Sequence, residues 1–423
     1  MMQLNNVIHN VGKVVDPFDC ASIPITQEVH HLLSYFGSLF FKQDMGKHPS
    51  PPFHDSACFQ VIQDCIFDKV QMTCIVSAMA SRREHFDGQF TRGRSSILFQ
   101  AAMTALRNRI EHSGEIDTQL IYCVMKLCHT ESYRSNFEEA IVHLNGARVA
   151  LKKLGSWCNL DSRYTSTLCG SGHAFHVSKV WKQPMAFPCL VDPGRAISCF
   201  PTELVHLARS GSPLEESGEQ LLAAVSSSSC DAMLVSSLQQ TILDLSEFSI
   251  VKHNILLSEL CGVNVPTFVT QWLDLRRYSL LSRLLSAQIV RNDFLHALRV
   301  SLVLWLTVIA NYKGFDHDLQ SVATHLQDVV MQIRPIKGHC NAKAFSWMLM
   351  MGAVAGDAQD VRLWFGLQLS VFLEHQNGSA EQNAEKWVTA LEFACRGTLY
   401  CELVQKDSLI RLAKELSILS TGL

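Results

Sequence analysis

Apolar residues recur at intervals of three and four along most of this chain, with no sustained apolar/polar alternation between hairpin turns. A period near 3.6 buries one stripe of a helix, whereas a half-buried strand needs a period of two. The pattern therefore predicts an all-α protein. His30–Phe41 places Leu33, Phe36, Leu39 and Phe40 on one face, and Ile62, Ile66, Val70, Thr73 and Ser77 recur through Phe59–Ser81. Met103, Leu106 and Ile110 repeat the pattern through Phe99–Ile110, and Leu120–Leu127 continues it. Glu138–Leu154 ends with Lys152 and Lys153, which suit the negative end of the helix dipole, and Gly155 can take a left-handed cap.

The pattern breaks over residues 156–211, which hold Gly170, Gly172, Pro184, Pro188, Pro193, Gly194, Pro201 and Gly211. Helices resume at Ser212-Pro213-Leu214-Glu215, where a serine N-cap precedes a proline at the first helical position. A polar run, Ser226–Ser229, interrupts again. Helical spacing then runs through 234–260, 265–287, 294–312, 319–333, 343–354, 359–374, 383–404 and 408–417. No fixed-period repeat is visible, so a solenoid is not predicted. The expected organisation is an N-terminal extension (1–25), a helical part (26–155), a loop-rich connection (156–211) and a second helical part (212–423) of one large irregular helical array.

Composition excludes several classes. Lys plus Arg is 36 against 39 Asp plus Glu, a net charge of −3, with no basic block for a nucleic-acid backbone. Direct DNA binding is therefore not expected, and Arg82-Arg83, Lys152-Lys153 and Arg276-Arg277 read as solvated helix faces. With 48% apolar and 18% charged residues the chain is too apolar to be disordered. The longest apolar run, Val300–Ala310, falls short of the ~20 residues that cross a bilayer and reads as a core helix, so no membrane partner is expected. The start MMQLNNVIHN lacks the charged and apolar regions of a secretory signal, so the expected location is inside the cell. Fifteen cysteines are too sparse for a disulfide scaffold, and Cys65, Cys74, Cys123, Cys128, Cys261 and Cys395 read as buried thiols.

Motifs for chemistry are scarce. No C-x-x-C pair is present, and the spacing of Cys123, Cys128 and His129 turns them to different helix faces, so no metal is expected. His173 and His176 could share a face but lack a third ligand. No G-x-S-x-G, G-x-G-x-x-G or G-x-x-x-x-G-K-[ST] occurs, and no cofactor is expected. Gly170-Ser171-Gly172-His173 reads as a flexible linker.

Three ordered stretches extend the reading. They are His31–Phe36 with Phe40-Phe41 and Pro52-Phe53; Glu131, Phe137 and His143-Leu144-Asn145-Gly146-Ala147; and Trp347-Met348-Leu349-Met350-Met351-Gly352-Ala353 with Arg362 and Trp364. Together they resemble the fungal-specific transcription factor domain, the helical regulatory region that usually follows a binuclear zinc–cysteine DNA-binding cluster. The resemblance covers roughly residues 25 to 420. It implies a nuclear regulatory protein linked to secondary metabolism, but the paired cysteines of the zinc cluster are not found here. The expected mode is protein contact, with a full-length factor or with a second copy. On packing grounds, Gly146 and Ala147 allow close helix approach and His143 can bond across helices. Trp347 and Trp364 fill core gaps, and Arg362 meets a buried carboxylate or carbonyl.

A second reading follows from the same scaffold. A helical domain of this apolar content could hold a small molecule and catalyse a cyclisation, isomerisation or dehydration in a biosynthetic pathway, in the cytoplasm. Its candidate polar groups are His143, Glu131, His173, His176 and Arg362, with catalytic and ligand-binding roles unassigned.

Overall fold

The computed structural model describes residues 21–41, 63–87, 94–155, 192–208, 218–228, 230–263, 265–287, 293–309, 316–333, 339–355, 359–377, 384–395, 398–399 and 402–421. Among them there is no strand, so the fold is an all-α array. The chain divides into two compact units, Met1–Phe175 and His176–Leu423.

The first unit contains α1 (Gln27–Phe41), α2 (Lys69–Asp87), α3 (Arg94–Ser113), α4 (Thr118–Tyr133) and α5 (Phe137–Leu154). α2 packs on α1, α3 and α4, and α4 packs on α5. Cys74, Ala102, Leu106, Leu120, Cys123 and Leu127 form a buried cluster where α2, α3 and α4 meet. The expected helix over 59–81 is interrupted, because Asp68 is an N-cap. Its carboxylate accepts from the amides of Val70 and Gln71, both at 2.8 Å. Asp117 caps α4 in the same way through Leu120 at 2.7 Å. One guanidinium serves both caps: Arg109 on α3 reaches Asp68 at 3.2 Å and Asp117 at 2.6 Å. α5 ends as expected, with Lys152-Lys153 in its last turn and Gly155 at φ +95°.

The second unit opens with a short helix, α6 (Ala196–Cys199), and a 3-10 turn (Thr202–Ala208). It continues with α7 (Glu219–Ser226), α8 (Ala232–Leu260), α9 (Thr267–Ser286), α10 (Asp293–Ile309) and α11 (Asp316–Val330). It closes with α12 (His339–Ala355), α13 (Gln359–Asn377), α14 (Ala384–Cys395) and α15 (Glu402–Thr421). The expected helix start at Ser212-Pro213-Leu214-Glu215 lies outside the described residues. Asp231 starts α8, accepting from Met233 and Leu234 at 2.8 and 3.2 Å.

α12 is the hub. It packs on α7, α10, α11, α13, α14 and α15, because nearly every face of Trp347–Ala355 is apolar and buried. Trp347 fills the centre and donates its indole N–H to the carbonyl of Leu399 at 3.0 Å. Trp364 is half-buried at the edge of this core, its ring edge-on to Phe365 at 4.9 Å. α10 is the expected core helix, with Val300 and Leu302–Leu306 wholly buried. Among the described residues, no helix is long and apolar enough to cross a membrane.

The expected helix over 383–404 stops at Cys395. There Thr398 folds back, its amide and hydroxyl both bonding the Cys395 carbonyl, at 3.0 and 2.6 Å. The carbonyls freed at Thr398 and Leu399 go to Gly218 and Trp347. Cys261 is also corrected. It is exposed, because it caps the C-terminus of α8 just beyond the packed stripe. Cys65, Cys74, Cys123, Cys128 and Cys395 are buried free thiols as expected.

Candidate functional site

The sequence candidates divide between the units. Glu131 and His143 are neighbours in the first. Glu131 is buried near the end of α4, where Asn136 donates to it at 2.7 Å and Arg134 lies at 3.5 Å. Arg134 also covers the Phe99 ring at 4.8 Å and donates to Ser96 at 3.2 Å. His143 meets the same ring edge-on at 6.5 Å. Burial holds the imidazole below its usual pKa, against the opposing pull of Glu131 and Glu139, which keeps it neutral near pH 7. Among the described residues no hydrogen bond joins His143 to Glu131. The carboxylate is already engaged by an amide and a guanidinium, so the pair lacks the contact that a base and its orienting acid require.

The same helix carries an outward feature. Val142 and Val149 are 68% and 57% exposed, and Gly146 between them is exposed as well. Spacings of four and three put all three on one face. Leu144 and Ala147 point inward and are buried. The expectation that Gly146 permits close helix approach is not met, because a Cβ there would meet only Val124, at 3.9 Å.

In the second unit, Arg362 pairs with Glu415 at 3.3 Å across α13 and α15, with both side chains about a quarter exposed. It meets a carboxylate as expected, but a partly exposed one at the edge of the packing where a buried partner was expected. His173 and His176 lie outside the described residues.

The largest correction concerns the basic pairs. Lys152 and Lys153 are exposed, but Arg82 and Arg83 are half-buried over the rings of Tyr133 and Tyr35. Arg276 and Arg277 are buried outright. Arg276 sits within the inward stripe of α9 formed by Val269, Trp272, Leu273, Leu280 and Leu284. That position forces it to find acids inside. Its guanidinium reaches Asp192 at 2.5 Å, Asp244 at 2.8 Å and Glu247 at 3.8 Å. Arg283 bonds Asp244 and Asp192 as well, and Arg195 lies 3.6 Å from Glu247. Three carboxylates thus balance three guanidiniums. Partial burial pushes the Asp192 carboxyl up, but the Gly194 amide, Arg276 and Arg283 outweigh it and hold it below the usual range. A carboxylate held ionised in this way is a clamp and a poor proton donor.

The signal for this network lies in the sequence at the wrong scale. Asp244 and Glu247 occur among Ile242, Leu245 and Phe248 on α8, charges at positions an apolar stripe would claim. An open groove of about 630 Å³ adjoins the network, lined by Ala232, Met233, Ser236, Ser237, Gln240, Thr241 and Arg283. Its one cationic lining group, Arg283, is already engaged by two carboxylates, so the groove offers hydroxyls and an amide and no group able to take or give a proton near pH 7.

No family model matches the chain, and no curated protein or solved structure matches it.

Proposed function

We propose that this chain is a transcription-factor-like regulatory protein that works through protein contacts, without reading DNA itself, in the control of a secondary-metabolite pathway. The observation that carries the reading is the outward face of α5, with Val142 and Val149 exposed on either side of Gly146. Exposed apolar side chains aligned on one face suit a helix from a partner, and the glycine lets a partner backbone come close. The same segment contains His143–Ala147, part of the resemblance to the fungal regulatory domain. The near-neutral charge agrees with a protein that leaves DNA contact to its partner. A full-length zinc-cluster factor or a second copy would supply that partner, in the nucleus.

The test is a deletion strain of the organism that carries the gene, with transcripts of neighbouring genes and metabolites measured together. Those transcripts should collapse, and the wild-type chain should restore them. A V142E/V149E chain should accumulate normally and fail to restore them. Unchanged transcripts in the deletion strain would overturn the proposal.

A second reading rests on the open groove beside Arg283, whose hydroxyl and amide lining suits a small polar ligand. It makes the chain a binder of a small molecule, and an enzyme of cyclisation, isomerisation or dehydration only with an acid or base supplied from outside the groove lining. Steady transcripts with one accumulating pathway intermediate would favour it.

A further inference from the structure

Two histidines face each other across a helix pair of the second unit. His296 lies on α10 and His325 on α11, and these helices pack directly. The two Nε2 atoms are 3.2 Å apart, with the ring planes inclined at 72°. Both residues are half-buried, so the pair is partly open to solvent. As a hydrogen-bonded pair, one Nε2 donates and the other accepts.

The spacing fits another occupant. Zinc–imidazole bonds are about 2.0–2.1 Å, so two nitrogens on one tetrahedral ion stand about 3.3–3.4 Å apart. The observed separation needs a shift of only ~0.2 Å to match that geometry. We propose that His296 and His325 form a cross-helix site for one divalent late transition-metal ion, zinc foremost, bound through both Nε2 atoms with water in the remaining positions. The proposal is independent of the regulatory reading.

The chemistry balances without an outside acid or base. The ring that carries its hydrogen on Nε2 moves it to Nδ1, so both rings coordinate as neutral imidazoles and no net proton is released. Burial, with Arg299 and His325 adding to it, holds His296 down to about 4, so it is neutral at physiological pH. Arg299 donates to the Ala287 carbonyl at the end of α9, and its positive charge works against a dication. Among the described residues, no third His, Cys, Asp or Glu joins the pair. Both facts make the site weaker than a four-ligand structural centre. Its effect is to tie α10 to α11 and stabilise the native state by mass action.

The test uses the full chain after chelator treatment. Zinc chloride titrated calorimetrically should show one more equivalent bound by the wild type than by H296Q or H325Q. Saturating zinc should raise the Tm of the wild type and leave both variants nearly unmoved. Copper(II) gives a second readout that needs no variant, since its electron spin-echo spectrum counts coordinated imidazoles. Two in the wild type, falling to one in a variant that folds, is the expected result. Equal zinc stoichiometry and equal Tm shifts in all three proteins, or one imidazole in the wild type, would overturn the site.

Discussion

The ring of Phe365 rests against the bare α-carbon of Gly352, so close that a methyl group there would lie 2.5 Å from its carbons. α12 and α13 meet at this contact, and the ring is wholly buried, so it has little room to retreat. G352A should destabilise the protein by about 1–3 kcal/mol through overpacking. G146A should do the opposite, gaining up to ~1 kcal/mol of helix propensity, since nothing crowds that position. Urea unfolding of both variants checks the pair, and equal shifts would contradict the packing.

Removing Arg276 should be costly. R276A leaves Asp244 and Glu247, whose side chains are 4% and 8% exposed, short of a guanidinium. Breaking a buried pair in this way typically costs ~3–5 kcal/mol. Asp192 is 32% exposed, and D192N should cost clearly less. R276K should rescue only in part, because an ammonium cannot bridge acids lying in several directions as a planar fork does. Denaturant melts of the three variants rank these outcomes.

Stability should fall with acid through His296. Its folded pKa is about 4 against an ordinary 6.5, lowered by burial first and then by Arg299 and His325. Between those values the unfolded chain binds the extra proton, so stability is full above 6.5 and is lost as pH falls towards 4. Tm measured across that range should slope upward with pH, and H296Q should flatten the slope. A slope unchanged in H296Q would assign the acid sensitivity elsewhere.

The thiols should divide by burial. Cys199 and Cys261 are exposed and should alkylate in the native protein. Cys65, Cys74, Cys123, Cys128 and Cys395 are buried, and desolvation alone pushes Cys128 up to about 12. They should react only after denaturation. Peptide mapping after iodoacetamide treatment reads each site separately.

Helix identity is legible in this sequence wherever one stripe is apolar and the end carries its own stop. α5, with its lysines and Gly155, and α10, with its wholly buried Leu302–Leu306 run, are the clear cases. Breaks made by side-chain oxygens are harder to read. Asp68 ends a periodic pattern that continues on both sides of it, because two amides and Arg109 compete for its carboxylate. Arg276 escapes notice for a related reason. A pair of arginines looks like solvent-facing charge until the inward stripe of α9 is aligned with the acids of α8, and that alignment is tertiary. The His296–His325 pair is invisible for the same cause, since its members are 29 residues apart on different helices. Glu131 and His143 are brought together as the sequence order of α4 and α5 allows, yet Asn136 and Arg134 already occupy the acid.

The acceptor for the Trp347 indole lies 52 residues downstream, at Leu399. A ribosome adding ~5–20 residues per second needs roughly 3–10 s to cover that distance. During that interval α13 and α14 are added one after the other, and at its start the hub helix has only the earlier α7, α10 and α11 to cover its run of Trp347–Met351. Synthesis speed over this stretch is therefore a determinant of yield. Slow codons or a stall between α12 and Leu399 would prolong the exposure and call on chaperones, and a fragment ending there would retain the adhesive surface without the chain that covers it.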